Sequence, residues 1–431
     1  MGKMPTHIRS LIQDMKPLYY VSKMLGIAPF TVKINPATNE EIVDIKFTSN
    51  IIGITASATI FILLLTGFVC ATFLPQFSLK QDPVEVLCYV VSVPLNFIGS
   101  LVLVLMNSTV NRSKLKKLVK KLTWIDKRLT LLRSEHSYKR DERNVQLFIP
   151  ILVLAVLLLS CDVFLSFDTF NPVFCIIERS CQLITLVAVM QYCKMALMIR
   201  DRLSVMYEIL SWTFCKRLSH TNCDKFGSGA LNVTSNVCSQ TSNTLHTPRF
   251  ILLDDLEEFN EIQTDLKMTR VVEVDVLLKL RRIYYHLYGC VKIINFMYGL
   301  PILIYIFRSA TGLISELYDV GTFFGVRTEI NFTVSVIIWS IVLLGPLISL
   351  TIIFDIAASK TKDMAHKLQT LLLKDTVTSE VVEQLKLFCQ QMSNDRIVFT
   401  AAGLFDVDLS FLCTFLTSIT TYIVVLIQLK Y

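Results

Sequence analysis

Seven stretches of this chain are too long and too apolar to be at home in a water-soluble core: residues 50–73, 84–106, 145–167, 174–198, 286–307, 332–354 and 407–429. A helix needs about 20 predominantly apolar residues to cross the hydrocarbon of a bilayer, and each stretch supplies them. Hydrocarbon offers no partner to a free N–H or C=O, so such stretches form helices, whose backbone is satisfied internally. The expected fold class is therefore all-α, a polytopic membrane protein with seven transmembrane helices. With 53% hydrophobic residues and a mean hydropathy of +0.54, little of the chain is left for an independent soluble domain.

The Lys and Arg residues set the orientation. The segments joining spans two to three, four to five and six to seven hold 12, 11 and 6 of them, and residues 1–49 hold 6. The alternate segments hold 1, 0 and 2, and Lys430 adds one more, so the two sides carry 35 and 4. Cytoplasmic loops carry such an excess, which places the N-terminus in the cytoplasm and the C-terminus outside. The formal net charge of +7 is then a topology signal and implies no nucleic-acid partner. The opening residues lack the basic start, apolar core and small-residue cleavage site of a signal peptide. A G-protein-coupled receptor is disfavoured: its N-terminus lies outside, and here the last span has no Asn-Pro-x-x-Tyr while Arg200-Asp201-Arg202 follows span four.

The chain divides into a cytoplasmic N-terminal segment (1–49), six helices with long cytosolic loops (50–354), cytosolic anchor helices (355–406) and the last helix (407–431). Residues 219–249, rich in Ser, Thr and Asn, are expected to be disordered. Met364, Leu368, Leu371 and Leu372 form one amphipathic stripe, and Val381, Leu385, Phe388 and Met392 another. Such stripes need burial, so a cytosolic helical bundle is expected beneath the membrane. The apolar patch from Leu18 to Phe30 either lies on the inner membrane face or docks as a short helix. The twelve cysteines follow no metal or disulfide spacing and read as small buried hydrophobes. No nucleophile–base or metal-ligand constellation falls at one level, so neither an enzyme nor a cofactor is expected.

Four spans bring polar and aromatic groups to one level in the outer half. They are Tyr89, Ser92 and Asn96 on span two; Glu178, Gln182 and Thr185 on span four; Tyr298 and Tyr305 on span five; Ser335 and Trp339 on span six. A concave site lined by aromatics and a few hydrogen-bonding groups suits a small polar ligand. The candidate ligand-binding residues are Tyr89, Asn96, Glu178, Gln182, Tyr298 and Trp339, a set matched to a sugar. Adjacent residues point about 100° apart on a helix, so Glu178 and Arg179 are not automatically a pair. An Asp162–Arg179 bridge is the competing structural reading. The only Asn-x-Ser/Thr sequon outside in this topology is Asn331, the candidate glycosylation site.

On the last span, Asp406, Ser410, Thr414, Thr417, Thr421 and Gln428 share one sector of the helix. That polar stripe is either glue between helices or the wall of an aqueous path. Gly403-Leu404-Phe405-Asp406-Val407-Asp408, followed by Thr421-Tyr422 and, after five apolar residues, Gln428, resembles the terminal signature of the insect gustatory receptor family. Arg396-Ile397-Val398-Phe399-Thr400-Ala401-Ala402 is similar to that family as well. The resemblance implies a tastant-gated, non-selective cation channel in the plasma membrane, assembled as a homo- or hetero-tetramer with gustatory receptor subunits. It makes Ser410, Thr414, Thr417, Thr421, Gln428 and Leu429 pore-lining residues, the last two at the narrowing. Leu429 departs from the family, which places Phe there. Tyr20-Val21-Ser22-Lys23 and the Phe-Thr-Ala-Ala-Gly run resemble the fructose-sensing branch, which favours a sugar over a bitter compound. A secondary transporter of a small polar solute is the alternative, but the inverted repeats of that class are not found.

The charge asymmetry makes a direct prediction. An epitope tag at residue 1 is expected to be reached by antibody only after permeabilisation, and labelling of intact cells would reverse the topology.

Overall fold

The computed structural model describes residues 19–23, 25, 30–35, 44–49, 51–73, 83–133, 148–165, 172–235, 251–323, 330–373 and 378–430. Side chains of the first two strands and of several helix ends, among them Tyr89, Asp162, Asn331 and Leu429, lie outside that description. After an antiparallel pair β1 (Phe30–Asn35) and β2 (Asp44–Ser49), the described chain is helical almost throughout: α1 (Ile51–Phe73), α2 (Pro83–Ser108), α3 (Asn111–Arg133), α4 (Phe148–Leu165), α5 (Pro172–Ser235), α6 (Ile251–Phe323), α7 (Ile330–Leu372) and α8 (Ser379–Asn394). A two-residue ladder, β3 (Thr400–Ala401) with β4 (Phe405–Asp406), leads into α9 (Leu409–Lys430).

Each of the seven apolar stretches lies on a helix. Windows long and apolar enough to cross a membrane fall on α2, α5, α6, α7 and α9, and a shorter apolar stretch, Gly53–Val69, lies on α1. Many apolar side chains on α1 and α4 are exposed, including Ile62, Leu63, Leu154 and Leu157. That is the surface expected of helices that face lipid.

Spans and anchor helices are not separate elements. α7 runs without a break from span six into the anchor region, 43 residues or about 65 Å at 1.5 Å per residue. Likewise α5 continues through 219–235, where the sequence is expected to be disordered; 236–249 lies outside the described residues. That segment contains no proline, and extending a formed helix costs far less than nucleating one. The apolar patch near the N-terminus supplies a docked helical turn at residues 19–23: Ser22 is buried and accepts a hydrogen bond from Gln191 Nε2. The β1–β2 ladder was not foreseen.

α6 is the hub, packing against α2, α3, α5, α7, α8, α9 and β3. On the side of the basic loops it joins α3, α5, α7 and α8 in a bundle. Met364, Leu368, Leu371, Val381, Leu385, Phe388 and Met392 are buried there with Leu118, Leu122, Ile125, Leu277, Leu280 and Tyr284. Leu372 is partly buried. Arg202 bridges Asp126 at 2.6 Å, Tyr284 donates to the Asp395 carbonyl at 2.8 Å, and Arg281 donates to Gln384 Oε1 at 2.8 Å.

The ladder before α9 sits on α6. Its turn has Ala402 at φ 54 and Gly403 at φ 76, the left-handed pair that a tight hairpin needs. A Cβ on Gly299 of α6 would meet the Ala402 nitrogen at 2.7 Å, so only glycine admits this approach. Gly299, within the stretch 286–307 read as span five, therefore lies against the ladder that leads into α9. Arg308, one of the two basic residues counted between spans five and six, lies inside the helix.

The bundle yields a stability prediction. Phe388 is fully buried, edge-on to Tyr284 with centroids 5.8 Å apart. Phe388→Ala is expected to cost about 3–5 kcal/mol, read as a clear fall in the heat-denaturation midpoint of the solubilised protein. Leu387→Ala on the exposed side of the same helix is expected to stay within about 0.5 kcal/mol.

Candidate functional site

On the far side from the bundle, polar groups of α2, α5, α6 and α7 are buried together. Asn96 (α2) is 1% exposed, and its Nδ2 donates to the Glu178 carbonyl of α5 at 3.3 Å. Gln182, one turn further along α5, shares the Glu178 face and is 3% exposed. Arg308 of α6, 5% exposed, lies within electrostatic reach of Glu178, Arg179 and Cys181. Arg179 donates to the Glu178 carboxylate at 3.1 Å and lays its guanidinium 4.0 Å from the centroid of the Trp339 ring on α7.

Glu178 and Arg179 do pair, a contact the helical wheel alone left open. The long arginine arm bends back along the helix, and burial beside an indole face favours that closure. Asp162 lies outside the described side chains. Trp339 joins the cluster through Arg179, so one of its faces is already covered.

The cluster includes Asn96, Glu178, Gln182 and Trp339, but the structure does not bring Tyr298 to it. Ten residues, about 15 Å of helix, separate Tyr298 from Arg308. Tyr298 stacks on Tyr192 at 5.3 Å and donates to Gln191 Oε1 at 3.2 Å. Tyr192 donates to Asn295 Oδ1 at 2.8 Å, and Asn295 donates to the Val398 carbonyl at 2.9 Å, next to β3. Tyr298 is thus part of the strut that holds the β3–β4 ladder. Tyr89 is on α2, seven residues before Asn96, with its side chain outside the description. Two cavities of about 130 and 490 Å³ lie at the bundle end, lined by Trp124 and Arg128 and by Phe354 and Asp406 respectively. Neither is lined by the cluster.

Elsewhere at this level polar groups join helices. Ser100 donates to the Cys181 carbonyl at 3.1 Å, and Tyr305 to the Leu343 carbonyl at 2.7 Å. Arg308 is the member of the cluster that sequence reading missed. The signal was present: Ile306, Leu313 and Ile314 carry the helical pattern straight past it.

The second candidate surface is α9. Asp408 caps its start, accepting from the Phe411 N–H at 2.8 Å. Leu412, Phe415 and Ile419 are buried against the rest of the chain, whereas Ser410, Thr414, Thr417, Thr421 and Gln428 are exposed. The hydroxyls of Thr414, Thr417 and Thr421 donate to the carbonyls four residues back, at 2.8–3.0 Å. Their protons thus need no partner on another helix, contrary to the premise that a polar stripe must find one. Leu429 lies outside the described side chains. Asn331 is in the first turn of α7, its side chain likewise outside the description.

Solved structures match this chain over almost its whole length, sequence relatives over parts of it. The insect olfactory receptor OR5 from Machilis hrabei superposes with a TM-score of 0.59 at 12% identity, covering 98% of this chain and 99% of that one. The same receptor in complex with eugenol superposes at 0.51, also at 12% identity and the same coverage; at such identity the likeness is one of fold. In sequence, putative gustatory receptor 28b of Drosophila melanogaster is 38% identical over 71 residues, 16% of this chain and 14% of that protein. Putative gustatory receptor 2a of the same organism is 25% identical over 189 residues, 39% of this chain and 44% of that protein. The chain thus matches less than half the length of these relatives. The model of the 7tm chemosensory receptor family matches residues 15–431. The expectation raised by the run from Arg396 to Leu429 holds at family level: this multi-pass membrane protein belongs to the 7tm chemosensory receptor family.

Proposed function

We propose that the chain is a gustatory receptor subunit of the plasma membrane, acting as a tastant-gated, non-selective cation channel with a sugar favoured over a bitter ligand. The observation that carries this reading is the uncovered face of α9. Its ridge of Leu412, Phe415 and Ile419 is buried against the rest of the chain, and its polar side faces nothing among the described residues. One helix cannot enclose water, so a path lined by that side needs several copies around an axis, here four, of this chain or of related subunits. The glue reading loses its main argument because the hydroxyl protons are satisfied along α9 itself.

In this reading seven helices cross the membrane, with the N-terminus cytoplasmic and the C-terminus outside. The cluster of Asn96, Glu178, Gln182 and Trp339 holds the tastant in the outer half of each subunit, and Tyr89 enters from α2. The complex of the olfactory receptor with eugenol supports a small organic ligand for this fold. Gln428 and Leu429 narrow the path near the outer end, where a ring of apolar side chains gates by dewetting. Asp406, exposed at the basic-loop end, favours cations at that mouth. Asn331 would carry a glycan on the outer side.

Cysteines introduced one at a time at Thr414, Thr417 and Thr421 test the path, in a background where the exposed Cys161 and Cys413 are serine. Small water-soluble thiol reagents are expected to alter the current at these positions and leave Leu412 and Phe415 variants untouched. Equal reactivity on both faces, or none on the stripe, would return α9 to a structural role. Gln428→Ala is expected to change gating or ion selectivity with normal surface expression. Trp339→Ala is expected to weaken the response to ligand by about 1–3 kcal/mol, read as a right-shifted dose–response curve with assembly intact.

A further inference from the structure

Two stripes meet where α3 runs antiparallel along α6. On α3, Lys114, Lys117, Lys121, Trp124 and Arg128 follow the spacing i, i+3, i+7, i+10, i+14, and on α6 the same spacing joins Arg282, Tyr285, Gly289, Lys292 and Phe296. Each set therefore occupies one face of its helix. Lys114 Nζ lies 4.5 Å from the centroid of the Phe296 ring. The Lys121 ammonium rests on the Gly289 backbone, 2.6 Å from where a Cβ would stand, and Trp124 meets His286 edge-on at 4.3 Å. Lys292 Nζ is 4.5 Å from the centroid of Tyr288.

Neither stripe carries a carboxylate. The one acid of α3, Asp126, is engaged by Arg202, and Asp395 is within electrostatic reach of Lys292 without pairing with it. Among the described residues Lys114, Lys117, Lys121 and Lys292 form no ion pair. Like charges gathered on one seam repel one another, and their summed field draws in an anion.

The position of the seam selects which anion. Asn111, at the head of α3, donates to the Met297 carbonyl at 3.3 Å, two residues from Gly299, where the ladder leading into α9 lies on α6. Lys114, Lys292 and Phe296 are thus about one turn below the level at which α9 begins. Phe296 is 51% exposed and Tyr285 58%, and exposed rings beside lysines at that depth suit a headgroup layer. Lys114 and Lys121 stand about 10 Å apart along α3, more than a single phosphodiester covers. A serine headgroup brings its own ammonium, which this seam repels, whereas an inositol ring with several phosphates meets several lysines at once.

We propose that the α3–α6 seam binds the headgroup of a polyphosphorylated inositol lipid of the inner leaflet, its phosphates held by Lys114, Lys117, Lys121 and Lys292. The proposal rests on the cytoplasmic placement of the basic loops and on no part of the channel or tastant reading.

The test is binding to the purified full chain in detergent, read as a shift of the heat-denaturation midpoint. The probes are dioctanoyl phosphatidylinositol bisphosphate, dioctanoyl phosphatidylserine and inositol trisphosphate, which has the phosphates but no chains. The bisphosphate lipid is expected to raise the midpoint, and the other two to match it only at concentrations roughly tenfold higher or more. A variant carrying Lys114→Gln, Lys117→Gln and Lys121→Gln is expected to need roughly tenfold more of the bisphosphate lipid, or more still, for the same shift. A second variant, Lys116→Gln, Lys120→Gln and Lys127→Gln, loses as much charge from the exposed face, about 100° round the helix, and is expected to respond as the parent does. If the first variant does not fold, Lys292→Gln on α6 carries the same test. Equal losses in the two triple variants would leave only diffuse surface charge. That outcome, an equal effect of phosphatidylserine or of inositol trisphosphate, or no shift with any probe would each overturn the proposal.

Discussion

The structure depends on the knot by which α5 and α6 grip the short ladder ahead of α9. Tyr192 stacks on Tyr298 and meets Phe354 and Phe399 edge-on, with centroids 4.5 and 6.0 Å away. Its hydroxyl reaches Asn295, and Asn295 reaches the Val398 carbonyl. Gly299 lets the ladder lie against the α6 backbone. The bonds in this knot are directional and centre on the buried rings of Tyr192 and Tyr298, so it fixes the height and direction at which α9 enters the membrane region. It also joins the two ends of the molecule, because α6 carries the polar cluster at one end and the bundle core at the other.

The two ends are held by different physics. In the bundle, water drives apolar stripes together, and residues such as Leu280, Leu368 and Phe388 vanish from solvent. At the other end lipid is as apolar as the helices. Association there rests on close packing and on polar contacts such as Ser100 with the Cys181 carbonyl and Tyr305 with the Leu343 carbonyl. A cluster with unpaired donors and acceptors is therefore an expensive feature in this half.

α9 is the least supported of the long helices. Its buried ridge of Leu412, Phe415 and Ile419 accounts for one face, while Tyr422, Val424, Val425 and the threonine stripe are exposed. In the proposed assembly, neighbouring subunits around an axis supply water for the stripe and protein or lipid for the flanks.

Much of this was legible in the chain. Apolar runs of membrane length forced helices, and the periodicity of Met364 to Leu371 and Val381 to Met392 identified the buried faces of the bundle. The wheel of α9 separated Leu412 and Phe415 from the threonines, and the run from Arg396 to Leu429 pointed to the family. These features are local: they depend on spacing along one helix and on the cost of an unsatisfied backbone in hydrocarbon. Tertiary structure alone decided where helices end and which residues meet. Arg308 looked like a loop residue because a charge normally closes a span, and only packing against α5 shows it buried beside Glu178. Tyr298 looked like a ligand contact because sequence has no measure of depth, and the Gly299–Ala402 approach sets that depth at the foot of α9. Pairing across helices is fixed by contacts between distant parts of the chain, which no periodicity along a single helix can encode.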